Sequence, residues 1–103
     1  MPELSTRPTL ADYQRYVTAL EHERGFAHQD VLTKCLLLGE EVGELFKAVR
    51  QQEGIAIDTP ASPVAEELAD VFIFICTIAN RYNIDLEEAF RAKEAINTTR
   101  QWS

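Results

Sequence analysis

Apolar residues in this chain recur every three or four positions, which is the spacing of one buried face of an α-helix. Four such stretches are separated by short segments that contain Gly, Pro, Asp or Asn. Ile55 and Ile57 alternate with small residues, but over too short a stretch to predict a strand. At 103 residues and 46% apolar content, the chain can hold one core. We therefore expect an all-α fold, a four-helix bundle-like domain that covers residues 1–103.

Capping patterns define where the four helices begin and end. The first helix follows a capping-box pattern at Thr9 and Asp12 and stops at Gly25. Beyond the second helix, residues 53–62 are predicted to form the connecting loop. Ser62 is the expected cap of the third helix, with Pro63 as its first residue. The other expected limits are Asp30 to Gln52 for the second helix, about Tyr82 for the end of the third, and Asp85 to Asn97 for the fourth.

The charge and the apolar runs exclude several classes of function. A formal net charge of −7 argues against binding a nucleic acid polymer through its phosphates. The longest apolar run, residues 71–76, is far shorter than the roughly 20 residues that cross a bilayer, so no membrane role is expected. The N-terminus lacks the pattern of a signal peptide, which favours a cytoplasmic protein. Cys35 and Cys76 lie in helical apolar stretches, and we expect buried, reduced thiols.

Two of the predicted helices carry acidic pairs where their apolar faces need core residues. Glu41 and Glu44 are one turn apart in the second helix, and Glu67 and Asp70 are one turn apart in the third. A solvated face is the usual explanation of such acids, but these lie in line with the core positions Leu37, Ala48, Val64, Val71, Phe74 and Ile78. Buried carboxylates without partners are costly, so four that converge require cations.

A hard divalent metal ion is the cation that suits these acids best. Lys47 and Arg50 lie toward the end of the second helix and cannot neutralise four charges. Carboxylates without Cys or suitably spaced His favour Mg²⁺ or Mn²⁺, and Mg²⁺ commonly takes substrate phosphates as further ligands. Glu40 and Glu66 are expected to face solvent or to support the metal ligands, and not to bind the metal themselves. Gly39 and Gly43 lie next to the acidic residues of the second helix, although glycine destabilises a helix interior. Either the close approach of another helix or the space needed by a metal-bound phosphate would explain why glycine is present.

The two acidic pairs and their surroundings resemble a known family. Glu41-x-x-Glu44, followed after 22 residues by Glu67-x-x-Asp70, lies in the contexts LLLGEEVGELFKAVR and EELADVFIFICTIANRYNIDLEEAF. This pattern is similar to that of the MazG-like nucleotide pyrophosphohydrolases, over about residues 34–100. The resemblance implies an all-α enzyme that binds Mg²⁺, with Mn²⁺ as a substitute, through the four acids. It would hydrolyse a nucleoside triphosphate, with deoxynucleotides favoured, to the monophosphate and pyrophosphate, as in nucleotide-pool cleansing.

The resemblance also implies roles for individual residues. Lys93 and Asn97 in the last helix match phosphate contacts, and Arg100 matches the basic residue that closes the motif. Lys34 is either a further phosphate contact or a surface lysine. Glu41 or Glu44 would take the proton of the attacking water. The N-terminal region matches less well, and there the candidates for base or sugar contacts, each also explicable as a core or surface residue, are Tyr13, Phe26 and His28. Some members continue with Tyr-Pro where this chain has residues 101–103.

Two other classes of helical protein also carry acidic residues inside helices, and the apolar pattern bears on the assembly state. A di-iron carboxylate bundle requires Glu-x-x-His, which the sequence lacks. A non-catalytic regulatory or interaction module that binds a metal or nucleotide would release no pyrophosphate.

Residues 71–75 are apolar all around the third helix, which predicts a homodimer or homotetramer with that helix at an interface. The alternative is a third helix that the other three enclose.

Overall fold

Residues 2–100 fold into four α-helices joined by loops. A computed structural model describes residues 2–100, and no strand forms within that range. The helices are α1 (Leu10–Glu23), α2 (Val31–Gln52), α3 (Val64–Arg81) and α4 (Leu86–Asn97). Helices α2 and α3 are antiparallel neighbours, because Lys34 lies near Phe74 whereas Glu41 lies near Glu67. The all-α prediction is confirmed.

Side-chain caps start three of the helices where the sequence predicts them. Thr9 and Asp12 form a reciprocal capping box at α1. Asp30 accepts a hydrogen bond from the backbone N–H of Thr33, and Asp85 accepts one from Glu88. The prediction for α3 was wrong, since Pro63 itself occupies the cap position and no side chain caps the helix. Its ψ angle of 149° is extended, so the first helical residue is Val64 and Ser62 lies too early to act as the cap.

Three of the helices also end in the same way. The residue just beyond the cap has a positive φ angle: 77° at Gly25, 79° at Gly54 and 54° at Asn83. In each case the following N–H donates to a carbonyl five residues earlier, as in the bond of 2.8 Å from Phe26 to Glu21. Glycine adopts this conformation without steric cost, and asparagine tolerates it. Gly25 therefore fixes where the chain turns and where Phe26 is placed.

The core lies between α1 and α3. Val17, Leu20 and Cys76 are buried together, and half-buried apolar residues of α1, α3 and α4 pack around them. Helix α3 packs against both α1 and α2, whereas α4 packs mainly against α1 and has no buried residue. The helix that the sequence predicts at an interface is thus the central one.

A buried glutamine joins α1 to α3 and to the start of α4. The Gln14 amide donates to Asn80 Oδ1 at 3.0 Å and to the carbonyl of Ile84 at 2.8 Å, and its oxygen accepts from the N–H of Leu86 at 3.0 Å. Asn80 in turn donates to the Gln14 carbonyl at 2.9 Å. These bonds satisfy polar groups that the helix junction buries, and they fix the position of α4.

The most exposed large apolar residues lie on α2 and α4. Leu32, Leu36 and Phe46 on α2 are 73%, 74% and 65% exposed, and Phe90 on α4 is 67% exposed. Cys35 is also exposed, which corrects the expectation of a buried thiol, because it lies on this outward side of α2. Cys76 is buried as expected. Between residues 2 and 100, no helix combines the length and apolarity needed to span a membrane.

Candidate active site

The loop between α2 and α3 sets the two acidic helices in register. The Gln51 side chain binds both backbone groups of Ala61, accepting from its N–H at 2.9 Å and donating to its carbonyl at 3.1 Å. Lys47 donates to the Thr59 hydroxyl in the same loop. These contacts hold the end of the loop against the last turns of α2. The start of α3 therefore faces the middle of α2.

Three of the predicted metal ligands converge at this point. Carboxylate oxygens of Glu41, Glu67 and Asp70 all lie within 4.8 Å of one another. Glu67 is only 6% exposed, and its Oε2 is a buried acceptor without a hydrogen-bond partner. A buried carboxylate oxygen with no donor is costly unless a cation binds it. The donor set contains only carboxylates, which matches Mg²⁺ or Mn²⁺.

The electrostatics of Glu41 show how crowded the negative charges are. Burial raises the pKa of the Glu41 carboxyl, and the charges of Asp70, Glu67 and Glu44 raise it further. A divalent ion would reverse this effect, because a positive charge favours the ionised carboxylates. The site thus has the chemistry of a cation site.

The other acids of the two motifs differ in position. Glu44 is exposed and lies outside the group of three, although its charge reaches Glu41. Its role as a metal ligand stays a prediction. Glu40 and Glu66 are exposed and also outside the group, as expected for acids that face away.

Lys34 is not a surface lysine. It is 3% exposed, and its Nζ lies 3.5 Å from a carboxylate oxygen of Glu21, a residue that is equally buried. Arg81 donates to the same oxygen of Glu21 at 2.7 Å. Sequence reasoning missed both partners, although Glu21 follows the core residue Val17 by one turn and so lies on the inward face of α1.

A small cavity adjoins the acidic cluster. Its volume is about 140 Å³, and it extends from Asp70 to Phe26. Lys34, Glu21 and Phe74 border it between these ends. The Lys34 Nζ lies 5.1 Å from the centre of the Phe26 ring and 5.8 Å from that of Phe74. The cavity thus has aromatic walls and a buried cation.

The predicted phosphate contacts on α4 lie elsewhere in the chain. Lys93 borders a groove with Phe72 and Ile75 of α3. At 100° per residue, this side of α3 points roughly opposite to Glu67 and Asp70. Asn97 donates to Glu94 at 3.3 Å, and its Oδ1 is a buried acceptor without a partner. Arg100 is exposed at the end of the described range. The structure places Lys93 on the side of α3 away from the acids of the same chain.

The remaining candidates separate into core, cavity and surface residues. Tyr13 packs in the core, with its ring 5.4 Å from that of Phe72 in an edge-to-face contact. Phe26 borders the cavity, and His28 is exposed. A Cβ atom on Gly39 or Gly43 would meet nothing within 4 Å, so no described helix of this chain packs closely there. Residues 101–103 lie outside the described range.

Comparison with known proteins decides the family. Residues 28–100 match the model of the MazG nucleotide pyrophosphohydrolase domain. The chain belongs to this family. It is therefore a hydrolase that acts on nucleotide anhydrides, as the paired acidic motifs imply.

Individual relatives agree with this assignment. The chain is 36% identical over 95 residues to the dATP/dGTP diphosphohydrolase of cyanophage S-2L, covering 92% of this chain and 79% of the relative. The chain also superposes on the structure of the cyanophage S-2L MazG-like pyrophosphohydrolase, which is bound to dGDP and three catalytic Mn²⁺ ions per active site. The TM-score is 0.73 at 31% identity, and the match covers 96% of this chain and 87% of the cyanophage chain. The Bacillus-conserved MazG protein, a nucleotide pyrophosphohydrolase, gives a TM-score of 0.73 at 28% identity, covering 96% and 97%.

Proposed function

We propose that this chain hydrolyses nucleoside triphosphates, with deoxynucleotides preferred, to the monophosphate and pyrophosphate in an Mg²⁺-dependent reaction in which Mn²⁺ can substitute. The observation that carries the proposal is the cluster of Glu41, Glu67 and Asp70 with the unpartnered Oε2 of Glu67. The Mn²⁺ ions and dGDP in the cyanophage structure support it. The biological role that fits is removal of unwanted nucleotides from the cytoplasmic pool.

The acids hold the metal in this proposal. Glu41, Glu67 and Asp70 provide ligand oxygens from two helices, and Glu44 completes the set from the exposed edge of α2. When bound by these acids, divalent ions would supply charge neutralisation for the triphosphate and a water of lowered pKa for in-line attack at the α-phosphorus. Glu41 and Glu44 are the two candidate bases that would take the proton of that water. Glu44 is exposed and lies outside the group of three.

Cationic groups must stabilise the negative charge that develops on the phosphoryl oxygens. We assign this role to Lys93 and Arg100, with Asn97 donating a hydrogen bond. Because Lys93 lies on the far side of α3 from the acids, a second copy of the chain would have to bring α4 to the site. This requirement, together with the exposed apolar side chains on α2 and α4, favours a homodimer or homotetramer.

Identification of the first products tests the reaction. The purified chain with Mg²⁺ should convert at least one deoxynucleoside triphosphate directly to monophosphate and pyrophosphate, as seen by ³¹P NMR. Diphosphate and orthophosphate as the first products would mean attack at the γ-phosphorus and would contradict the proposal. Failure to hydrolyse any nucleotide would favour the non-catalytic regulatory or interaction module.

A further inference from the structure

A buried lysine borders the cavity beside the acidic cluster. Lys34 has three N–H donors and no acceptor. Its partner Glu21 lies 3.5 Å away, and the same carboxylate also accepts from both terminal nitrogens of Arg81, at 2.7 and 3.4 Å. Because Glu21 is shared with Arg81, it does not use all the donor capacity of Lys34. The cavity therefore has a cation that can donate further hydrogen bonds.

The size and walls of the cavity define what can enter it. A cavity of roughly 150 Å³ holds one benzene ring, so the 140 Å³ observed here is sufficient for one ring and too small for a triphosphate. Phe26 and Phe74 provide aromatic surfaces near the Lys34 ammonium. Asp70 belongs to both the cavity wall and the acidic cluster. A nucleotide with its phosphates at the acids can therefore place one ring of its base in the cavity.

We propose that this cavity takes the carbonyl-bearing edge of the nucleobase and that Lys34 donates to the carbonyl, which makes Lys34 a specificity-determining residue. This rests on the proposed function, which places the phosphates at the acids. Guanine and thymine present a carbonyl oxygen where adenine and cytosine present an amino group. Lys34 cannot accept from an amino group, and the carboxylates in the cavity wall are engaged elsewhere, Glu21 by two cations and Asp70 by the metal of the proposed function. The cavity thus selects guanine over adenine and thymine over cytosine.

The neighbouring contacts keep the ammonium at the cavity wall. Arg81 also donates to the carbonyl of Gln29, at 3.3 Å, which ties the loop between α1 and α2 to α3. Phe26 lies at the start of this loop, where its backbone N–H donates to the carbonyl of Glu21. The cation, its anion and the aromatic wall are therefore held by the same set of contacts.

Two matched substrate pairs test the assignment, because each pair keeps the ring size constant. We expect the wild-type protein to have a higher kcat/KM for dGTP than for dATP, and for dTTP than for dCTP. Lys34→Met, which keeps the length of the side chain, should lower the value for dGTP and dTTP about tenfold more than for dATP and dCTP. A lysine with only a structural role would change all four values by the same factor, and that result would overturn the assignment.

A second variant covers loss of folding, since Lys34→Met leaves Glu21 paired with Arg81 alone. Lys34→Gln keeps a polar side chain beside Glu21, and its amide can accept as well as donate a hydrogen bond, so it does not discriminate between a carbonyl and an amino group. It should show the same selective loss.

Binding of dGMP and dAMP, measured by calorimetry, separates this inference from the proposed function because neither ligand is hydrolysed. Tighter binding of dGMP that is lost in both variants supports the inference even if no triphosphate is turned over. Equal affinities, or no binding of either ligand, would overturn it and leave the proposed reaction intact.

Discussion

At the scale of single residues, the site is characterised by carboxylates that repel one another. Oxygens of Glu41, Glu67 and Asp70 lie within 4.8 Å of one another, and Glu67 Oε2 has no hydrogen-bond partner among the described residues. Burial and repulsion from the neighbouring carboxylates both disfavour the ionised form of Glu41, which is why its pKa is raised. Such a cluster weakens the metal-free fold, and a bound cation removes that penalty.

Replacing one acid should therefore separate stability from activity. We expect Glu41→Gln and Glu67→Gln to abolish most turnover while leaving the metal-free protein as stable as the wild type or more so. The raised pKa means that the wild type loses stability as the pH rises through that pKa, and Glu41→Gln removes this loss. Thermal unfolding across pH, with and without Mg²⁺, measures the effect. Added Mg²⁺ should raise the melting temperature of the wild type and not that of these two variants.

Glu40→Gln is the matched control, because Glu40 is adjacent to Glu41 but exposed and outside the cluster. It should retain most activity and leave the effect of Mg²⁺ unchanged. If it is as damaging as Glu41→Gln, the assignment of inward-facing acids is wrong.

Lys93 provides a second prediction at this scale. Its ammonium has no ligand oxygen and lies away from the acids of its own chain. Lys93→Ala should therefore lower kcat at least tenfold, while calorimetry shows Mg²⁺ binding without nucleotide to be unchanged. An equal loss of Mg²⁺ affinity would indicate that Lys93 is a structural partner of the acids. No change in kcat or in Mg²⁺ affinity would indicate a solvated lysine without a role in the site.

At the scale of the helices, α2 has two functional sides. Its inward side carries Lys34 and Glu41, and its outward side carries exposed apolar residues and two glycines. A glycine inside a helix is less favourable than alanine by about 0.5–1 kcal/mol. A Cβ atom at Gly39 or Gly43 would meet no described atom within 4 Å, so the packing of this chain does not explain why glycine is present there. The glycines therefore leave room for a ligand or a second copy.

Alanine substitutions at the glycines should give opposite results. Gly39→Ala should stabilise the isolated chain by about 0.5–1 kcal/mol, since the added Cβ meets open space within a helix. Gly25→Ala should destabilise it by about 1 kcal/mol, because the φ angle of 77° disfavours a residue with a Cβ. Urea denaturation at low protein concentration measures both. Destabilisation by Gly39→Ala would show that a neighbour already fills that space.

The helices were easier to predict from the sequence than the contacts between them. Caps such as Thr9 and Asp85 act within a few residues, so their pattern identifies them directly. Cys35 was misassigned because an apolar neighbourhood does not reveal which side of a helix the chain will cover. The partnership of Glu21, Lys34 and Arg81 joins three helices, and no local spacing predicts it. The acidic cluster was predictable because two i, i+3 pairs lie in line with core positions.

At the scale of the whole molecule, one chain separates the acids from the predicted phosphate contacts. Helix α4 packs mainly on α1, and Lys93 lies on the side of α3 roughly opposite to Asp70. The most exposed apolar residues lie on α2 and α4, not on α3. Both observations favour assembly of complete sites from more than one copy.

Mixing two inactive variants tests whether sites are shared. Glu67→Gln lacks an acid and Lys93→Ala lacks the cation, so an oligomer containing both chains should have some sites with neither change. We expect partial recovery of activity after the variants are mixed and exchanged. Glu67→Gln mixed with Glu41→Gln should recover none, because both changes affect the same acidic cluster. Absence of recovery in the first mixture, with an active species of 11.7 kDa by light scattering, would place the complete site in one chain.

Hydrolysis in ¹⁸O-labelled water tests most directly whether the acidic cluster directs water to the α-phosphorus. The reaction should be run with Mg²⁺ and the best deoxynucleoside triphosphate, and the two products should be separated and analysed by mass spectrometry. The account predicts one ¹⁸O atom in the monophosphate and none in the pyrophosphate. Label in the pyrophosphate would mean attack at the β-phosphorus and would contradict it.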